Sequence, residues 1–220
     1  MDSDSTRRKG SQVSMLKAME DGKVDILLGT QMIAKGLHFP RVSCVGVINA
    51  DQALRMADFR ASERVFQLII QVAGRCGRGD GEGHVYLQTN TPYHAAIQLA
   101  RHHDYVGFVE DEIEFRKALR YPPIGRAVLI TLKGSNESKT RWVSEKILRE
   151  LKEMVASLAE VPEAPSPAPI YKIKGCYRYQ IFLKTSRILP LSRALRKMMF
   201  ETRWPSGIQC SIDVDPYDLL

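Results

Sequence analysis

The chain has 220 residues, 44% of them hydrophobic and 26% charged, with a formal net charge of +7. This is enough for one large or two modest domains with buried cores, and the composition is that of an ordinary globular protein. No apolar run approaches the roughly 20 residues of a membrane helix, and the charged first residues (Asp2, Asp4, Arg7, Arg8, Lys9) do not have the pattern of a secretory leader.

Residues 11–20 have a helical pattern with Val13, Leu16 and Met19 on one stripe, ended by Asp21-Gly22. Residues 24–28 are a short apolar run closed by Gly29-Thr30, the pattern of a buried parallel strand. Residues 42–48 form a second such run leading into Asn49-Ala50-Asp51. The helical period returns over residues 61–73, with Val65, Phe66, Ile69 and Ile70 inward, and residues 83–89 read as a strand. Strands alternating with helices predict an α/β layer with a parallel sheet, whose first strands lack sheet neighbours and expose apolar edges. Ligands of such sheets sit beyond the strand C-termini, where Gly29-Thr30-Gln31 falls.

Residues 91–120 read as helical and amphipathic. They place His94, His102 and His103 on a helix surface, with no carboxylate or cysteine at ligand spacing. Tyr121-Pro122-Pro123 stops the helices and sets the expected boundary between a first domain (1–121) and a second (122–220). The second begins with a strand over 126–132 and a helix from Gly134-Ser135-Asn136 to about residue 159. Trp142, Ile147, Leu151, Met154 and Leu158 are expected inward on that helix. Residues 161–169 contain four prolines and predict an extended connection. Residues 171–174 and 177–184 read as a hairpin around Gly175-Cys176. A helix over 191–203 follows, with Leu191, Leu195 and Met198 on one face, and residues 208–214 alternate as a half-buried strand. This β-α-β-β-α-β order is that of a ferredoxin-like split βαβ unit.

Three features carry chemistry. In Gln71-Val72-Ala73-Gly74-Arg75-Cys76-Gly77-Arg78, two arginines three apart emerge together from a helix end, and the glycines leave room for another backbone or a phosphate. The planar, permanently charged guanidinium donates bidentately to phosphate, so an anion-facing turn is expected. In Gly29-Thr30-Gln31-Met32-Ile33-Ala34-Lys35-Gly36, backbone N–H groups and the Thr30 hydroxyl suit a phosphate at a helix N-terminus, and Thr30 reads equally as an ordinary helix cap. Between Tyr171 and Trp204 nine basic residues face one acid, Glu201, so this segment carries +8 and the rest is nearly neutral. Such concentration points to a polyanion, most often nucleic acid, against the plain alternative of a solvated basic face. Cys44, Cys76, Cys176 and Cys210 include no Cys-x-x-Cys pair, so neither a zinc site nor a disulfide framework is expected, and a reducing cytoplasm is the natural compartment.

Residues 26–36 resemble motif V, and residues 71–78 motif VI, of superfamily 2 helicases. Together with Ala57-Asp58-Phe59-Arg60-Ala61-Ser62-Glu63-Arg64 between them, the wording is similar to the primosomal protein N′ (PriA) family of bacterial replication-restart helicases. The similarity continues through Tyr121-Pro122-Pro123, Tyr177-Arg178-Tyr179-Gln180 and Asp213-Val214-Asp215-Pro216. It implies an α/β fold: a partial RecA-like lobe, then the ferredoxin-like α+β domain. The activity implied is ATP-driven 3′-to-5′ DNA unwinding at stalled forks, with reloading of the replicative helicase. Carried over by position, Gln71, Arg75 and Arg78, with Gly36, would face ATP, and Arg75 or Arg78 would be the arginine finger. Thr30, Gln31 and Lys35 would touch the DNA backbone, and Tyr177, Arg178 and Tyr179 would bind DNA by stacking and charge, although simple strand packing also explains the tyrosines. Implied partners are forked and single-stranded or duplex-junction DNA, primosome proteins and single-strand-binding proteins, with no membrane, in the bacterial cytoplasm at the nucleoid.

The departures matter as much. No Gly-x-x-x-x-Gly-Lys-Ser/Thr loop, acidic magnesium box or cysteine-rich zinc insertion occurs, and residues 1–6 resemble the family sequence entered just after that insertion. His38 stands where many related motors carry an acid, and Cys76 where a small apolar residue is usual. The resemblance therefore implies the C-terminal part of such a helicase. ATP and Mg2+ belong to the full-length family protein and zinc to the missing insertion only, so the chain by itself should not hydrolyse ATP. Two rival readings remain: a stand-alone DNA-binding or primosome-docking module without a motor, and a piece of another superfamily 2 motor such as a fork-reversal translocase.

Overall fold

The computed structural model describes residues 11–30, 42–74 and 83–219. The chain divides into two compact units: residues up to Arg55 together with Ala61–Glu110, and Met56–Arg60 together with Asp111–Leu220.

In the first unit, helix α1 (Ser11–Glu20) precedes strand β1 (Cys44–Val47), the short helix α2 (Asp51–Leu54), α3 (Ala61–Ala73), β2 (His84–Leu87) and α4 (Ala95–Arg101). Helix α5 (Tyr105–Leu119) begins here and the division falls within it. Strands β1 and β2 pair in parallel, Val45 opposite Val85. The expected period of α3 holds: Val65, Phe66 and Ile69 are buried against Ala96, Ile97 and Ala100 of α4 and Phe108 of α5, with Ile70 partly buried beside them. Phe66 and Phe108 stack at 4.2 Å.

Other expectations are corrected. Residues 24–28 form no strand. The described parallel sheet consists of β1 and β2 alone, and Ile26 and Leu28 are 76% and 73% exposed. Val13, expected on the inner stripe of α1, is also exposed. The continuous helix expected over 91–120 is two helices. His103 takes a positive φ of 54°, and the Asp104 carboxylate accepts from Gly107 N at 2.8 Å, which ends one helix and starts the next. His94 is the N-cap of α4, its Nδ1 accepting from Ala96 N.

Asp51 fastens the loops beyond the parallel strands. It is buried, and its carboxylate accepts from Asn90 N at 2.8 Å, Thr91 Oγ1 at 2.7 Å and Thr89 Oγ1 at 2.8 Å. These donors hold its carboxyl far below the usual carboxylate range, the Asn90 backbone N–H contributing most and the Thr91 hydroxyl next.

The second unit contains β3 (Arg126–Gly134), α6 (Glu137–Val155), β4 (Ser166–Ile173), β5 (Cys176–Thr185), α7 (Ile188–Glu201) and β6 (Ile208–Val214). Its sheet has the order β4-β5-β3-β6 with every neighbour antiparallel. Val128, Ile130 and Leu132 of β3 and Ile181 and Leu183 of β5 face α6 and α7, where they meet Val143, Ile147, Leu151, Leu191 and Leu195. Each such side chain withdrawn from water contributes about 1.5–3 kcal/mol. Gly134 permits close approach at the end of β3: a methyl there would lie 2.6 Å from Thr140 Oγ1 and 2.7 Å from Ile208 Cδ1. Asn136 caps α6 by accepting from Lys139 N. Lys174 and Gly175, both at positive φ, join β4 to β5, as a two-residue hairpin with primed-turn geometry requires.

Here too some expectations are corrected. Helix α6 ends at Val155 rather than near residue 159. Trp142 (55% exposed) and Met154 lie off its inner face, which runs through Thr140, Val143, Ser144, Ile147, Leu148, Leu151 and Val155. Residues adjacent on a helix differ by about 100°, so a stripe placed through Val143 turns Trp142 outward. The proline-rich connection becomes strand from Ser166, tolerated because β4 is an edge strand broken by a bulge between Pro167 and Lys172.

The two compact units divide at Glu110/Asp111, and Met56–Arg60 joins the second unit. The cause is an aromatic cluster. Phe59 stacks on Tyr121 at 5.2 Å and 11°, lies 6.2 Å from Phe182, and packs with Leu129 and Leu219. The Arg60 guanidinium sits 4.3 Å from the Phe59 ring centre and donates to Pro216 O at 2.9 Å. Arg116 lies 5.3 Å from the same ring, ion-paired to the buried Glu112 at 2.7 Å and donating to Pro122 O. Beside it Arg126 forks onto Asp215, clasping the end of β6 and holding the Asp215 carboxyl below its usual range.

Two outcomes are expected. Phe59→Ala removes a nearly buried ring and should cost the second unit about 3 kcal/mol. Denaturant unfolding followed by Trp142 and Trp204, the only tryptophans and both in this unit, would read it. An unchanged midpoint would show that the stack contributes nothing. Because the folded-state value of Asp51 is depressed, its stabilisation is complete above the unfolded value of about 4 and is lost as pH falls below that. Asp51→Asn should therefore flatten the acid dependence of amide-exchange protection at Ala50 and Gln88, whose N–H groups bond across the β1–β2 ends. The same acid profile in both proteins would refute the role.

Candidate nucleotide and nucleic-acid sites

Of the residues expected to face a nucleotide, one is described, on helix α3. Gln71 stands on its last turn, half-buried. The helix closes at Ala73, with Gly74 N donating to Ile70 O at 3.0 Å. A methyl at Gly74 would meet only Ile70 O at 3.5 Å and Gln71 O at 3.8 Å, ordinary contacts, and its φ is not positive. Among the described residues neither backbone conformation nor packing therefore demands glycine here. Arg75 and Arg78 lie outside the described residues. Thr30 is described and exposed, whereas Gln31, Lys35 and Gly36 also lie outside the described residues.

In the second unit the three expected DNA-binding residues separate onto two faces. Successive side chains of β5 alternate, so Tyr177 and Tyr179 share the helix-covered face with Ile181 and Leu183, while Arg178 faces the other way. Tyr179 is 6% exposed, and its hydroxyl lies 2.9 Å from that of Tyr171, which donates to Glu137 Oε1 at 2.6 Å. Those bonds, the one to the carboxylate first, raise the Tyr171 hydroxyl well above the usual tyrosine range. Tyr177 meets Tyr171 edge-on at 5.5 Å, and the Lys172 ammonium covers its ring at 4.4 Å. Both rings are thus packed on protein groups, as the strand-packing alternative anticipates. Arg178 donates to Ile170 O at 3.4 Å and stands in register opposite Lys133 of β3.

The basic segment is likewise split. Lys172, Lys174 and Arg178 gather at one end of the sheet, whereas Arg193, Arg196 and Lys197 lie exposed on α7. Lys184 turns inward to Glu160 at 2.8 Å, Leu119 O and the Tyr121 ring.

Among the described residues no group of three or more His, Cys, Asp or Glu could hold a metal ion, and no helix is long and apolar enough to cross a membrane. Cys44, Cys176 and Cys210 are free, and burial pushes the Cys210 thiol up to about 12, the character of a packing residue. Sequence reasoning missed Asp51, whose partners lie 38–40 residues away, and Lys133, whose neighbour emerges only from strand register.

Comparison with known proteins places these features in a family. Residues 3–80 match the helicase conserved C-terminal domain, and residues 117–217 match the primosomal protein N C-terminal domain. Along its whole length the chain is 42% identical to replication restart protein PriA of Bacillus subtilis, covering 28% of that protein. It is 39% identical over 99% of its length to PriA of Synechocystis sp., and 38% identical over its whole length to PriA of Haemophilus influenzae, covering 26% and 30% of them. The chain thus spans less than a third of the length of these relatives. A helicase module followed by a primosomal one, in a chain matched from end to end, has one reading: the chain belongs to the replication restart protein PriA family and corresponds to its C-terminal part.

Proposed function

We propose that the chain serves an ATP-dependent 3′-to-5′ DNA helicase acting in replication restart, as the closing part of its second motor lobe and its terminal DNA-binding domain. The observation that carries this reading is the succession of a helicase C-terminal match over 3–80 and a primosomal match over 117–217. In it the β1–β2 layer with α3 is part of a RecA-like lobe, and the β4-β5-β3-β6 sheet with two helices on one face is a ferredoxin-like split βαβ domain.

The donor set at the end of α3 suits a nucleotide. The Gln71 amide and the Arg75 and Arg78 guanidiniums are hydrogen-bond donors, two of them permanently cationic, beside Gly74, at which no described residue demands the absence of a side chain. We assign Arg75 or Arg78 as the arginine finger, which neutralises charge developing on the γ-phosphate and is worth roughly 10³ to 10⁵ in rate. Gly36 lets the backbone approach the same cleft, while Thr30, Gln31 and Lys35 couple it to the DNA backbone. ATP with Mg2+ supplies the free energy of unwinding. The sequence has no phosphate loop, so its cradle belongs to another lobe. Forked and junction DNA, primosome proteins and single-strand-binding proteins are the partners in this reading, in the bacterial cytoplasm at the nucleoid.

Two measurements test it. The chain alone should show no DNA-stimulated ATP turnover, and turnover above background would overturn the assignment of a finger without a cradle. In the full-length protein, Arg78→Ala should lower ATP turnover at least 10³-fold while leaving DNA affinity near that of the parent. Retained turnover in both Arg78→Ala and Arg75→Ala proteins would remove the finger.

A further inference from the structure

Helices α6 and α7 cover one face of the four-stranded sheet, and the other is graded from apolar to cationic. At one end Leu129 and Phe182, opposite each other on β3 and β5, are roofed by Phe59, Tyr121 and Leu219. One step along, Thr131 stands between Gln180 and Ser211. At the far end Lys133 stands between Arg178 of β5 and Gln209 of β6. Lys133, Gln209 and Ser211 are exposed, and Arg178 is half-buried.

Like charges directly opposite on neighbouring strands destabilise a sheet. Yet the Lys133 ammonium has no hydrogen-bond or ion-pair partner among the described residues. The acid facing the same way on β6, Asp213, pairs with Leu129, four residues from Lys133 along β3 and so about 13 Å distant. Glu137, near in sequence, is taken by Tyr171 on the helix-covered side. The hairpin turn at this sheet end adds Lys174, also without a partner among the described residues. The cations of α7 are more occupied: Lys197 lies 3.8 Å from Glu201, and Arg196 rests against Phe200.

We propose that this open end of the sheet, with Lys133 and Arg178 at its centre and Gln209, Ser211 and Thr131 beside them, is a platform for the sugar-phosphate backbone of single-stranded DNA. The site deepens the DNA-helicase reading and rests on it. The two cations stand on adjacent strands whose backbones run about 5 Å apart, so their long side chains reach one phosphate or two in succession. Amides and hydroxyls flank them as donors and acceptors, and three strands make a strip wide enough for one nucleic-acid chain. The exposed rows hold no aromatic ring, so bases are not stacked there and binding is indifferent to sequence.

The test is fluorescence anisotropy of the 220-residue chain with labelled single-stranded oligothymidine and a mixed-sequence oligonucleotide, across a salt series. Lys133→Gln and Arg178→Gln should each reduce the slope of log K against log salt by about 0.7, and together by about 1.4. The two oligonucleotides should give equal slopes. Lys133 is exposed and carries the decision should Arg178→Gln disturb folding. Arg193→Gln with Arg196→Gln, on α7, should leave the slope unchanged. The platform is refuted if the α7 pair lowers the slope while Lys133→Gln does not, or if duplex DNA binds more tightly with the same dependence on Lys133; the wider DNA reading survives both results. Failure of the unsubstituted chain to bind any oligonucleotide at low salt would instead remove the DNA reading itself.

Discussion

The second unit depends on the register of β3 between its two antiparallel neighbours. Side chains alternate across a strand, so Val128, Ile130 and Leu132 reach the helices only while Leu129, Thr131 and Lys133 face away. Slippage by one residue would exchange the two sets and drive an ammonium among Ile147, Leu151 and Leu195. The penalty for desolvating that charge is several times what any one aliphatic contact contributes. The same constraint sets Arg178 opposite Lys133, and it sends Tyr177 and Tyr179 to the helix side. The cationic strip and the packed tyrosines are thus two results of one alignment.

Much of this architecture was legible because the deciding information is local. The stripe of Val65, Phe66 and Ile69 marks α3 at its observed bounds, and Leu191, Leu195 and Met198 mark the inner face of α7. Gly175 marks the hairpin, although the turn is Lys174-Gly175 rather than the expected Gly175-Cys176, and Gly134-Ser135-Asn136 announces the start of α6. What escaped was settled by distant partners. Trp142 is the most apolar-looking residue of its turn, yet the helix rotates it outward because Val143 fits the sheet. Residues 24–28 have the composition of a buried strand, but strand formation needs a paired neighbour, and none is described beside them.

The candidate sites divide in the same way. Two arginines spaced around glycine after a helical stretch stand out in the sequence because guanidiniums so close together suit an anion, but Arg75 and Arg78 lie outside the described residues. Asp51 was not readable, because nothing near it in sequence hints that Thr89, Asn90 and Thr91 converge on its carboxylate. Tyrosines beside an arginine suggested a stacking surface, but alternation along β5 separates aromatic from cation. A motif on a strand should be divided by face before its residues are assigned a common ligand.

The Phe59 anchor has a consequence for how the molecule can be taken apart. Because Met56–Arg60 is built into the second unit although the chain on both sides of it belongs to the first, no single scission yields an intact terminal domain. An excised segment starting at Asp111 would lose the Phe59 ring and the Arg60 clasp on Pro216, uncovering Leu129 and Phe182 as a sticky apolar floor. This region is therefore not a modular cassette. Gene fusions or domain swaps that treat it as one would inherit an aggregation surface unless they carry the five-residue plug with them.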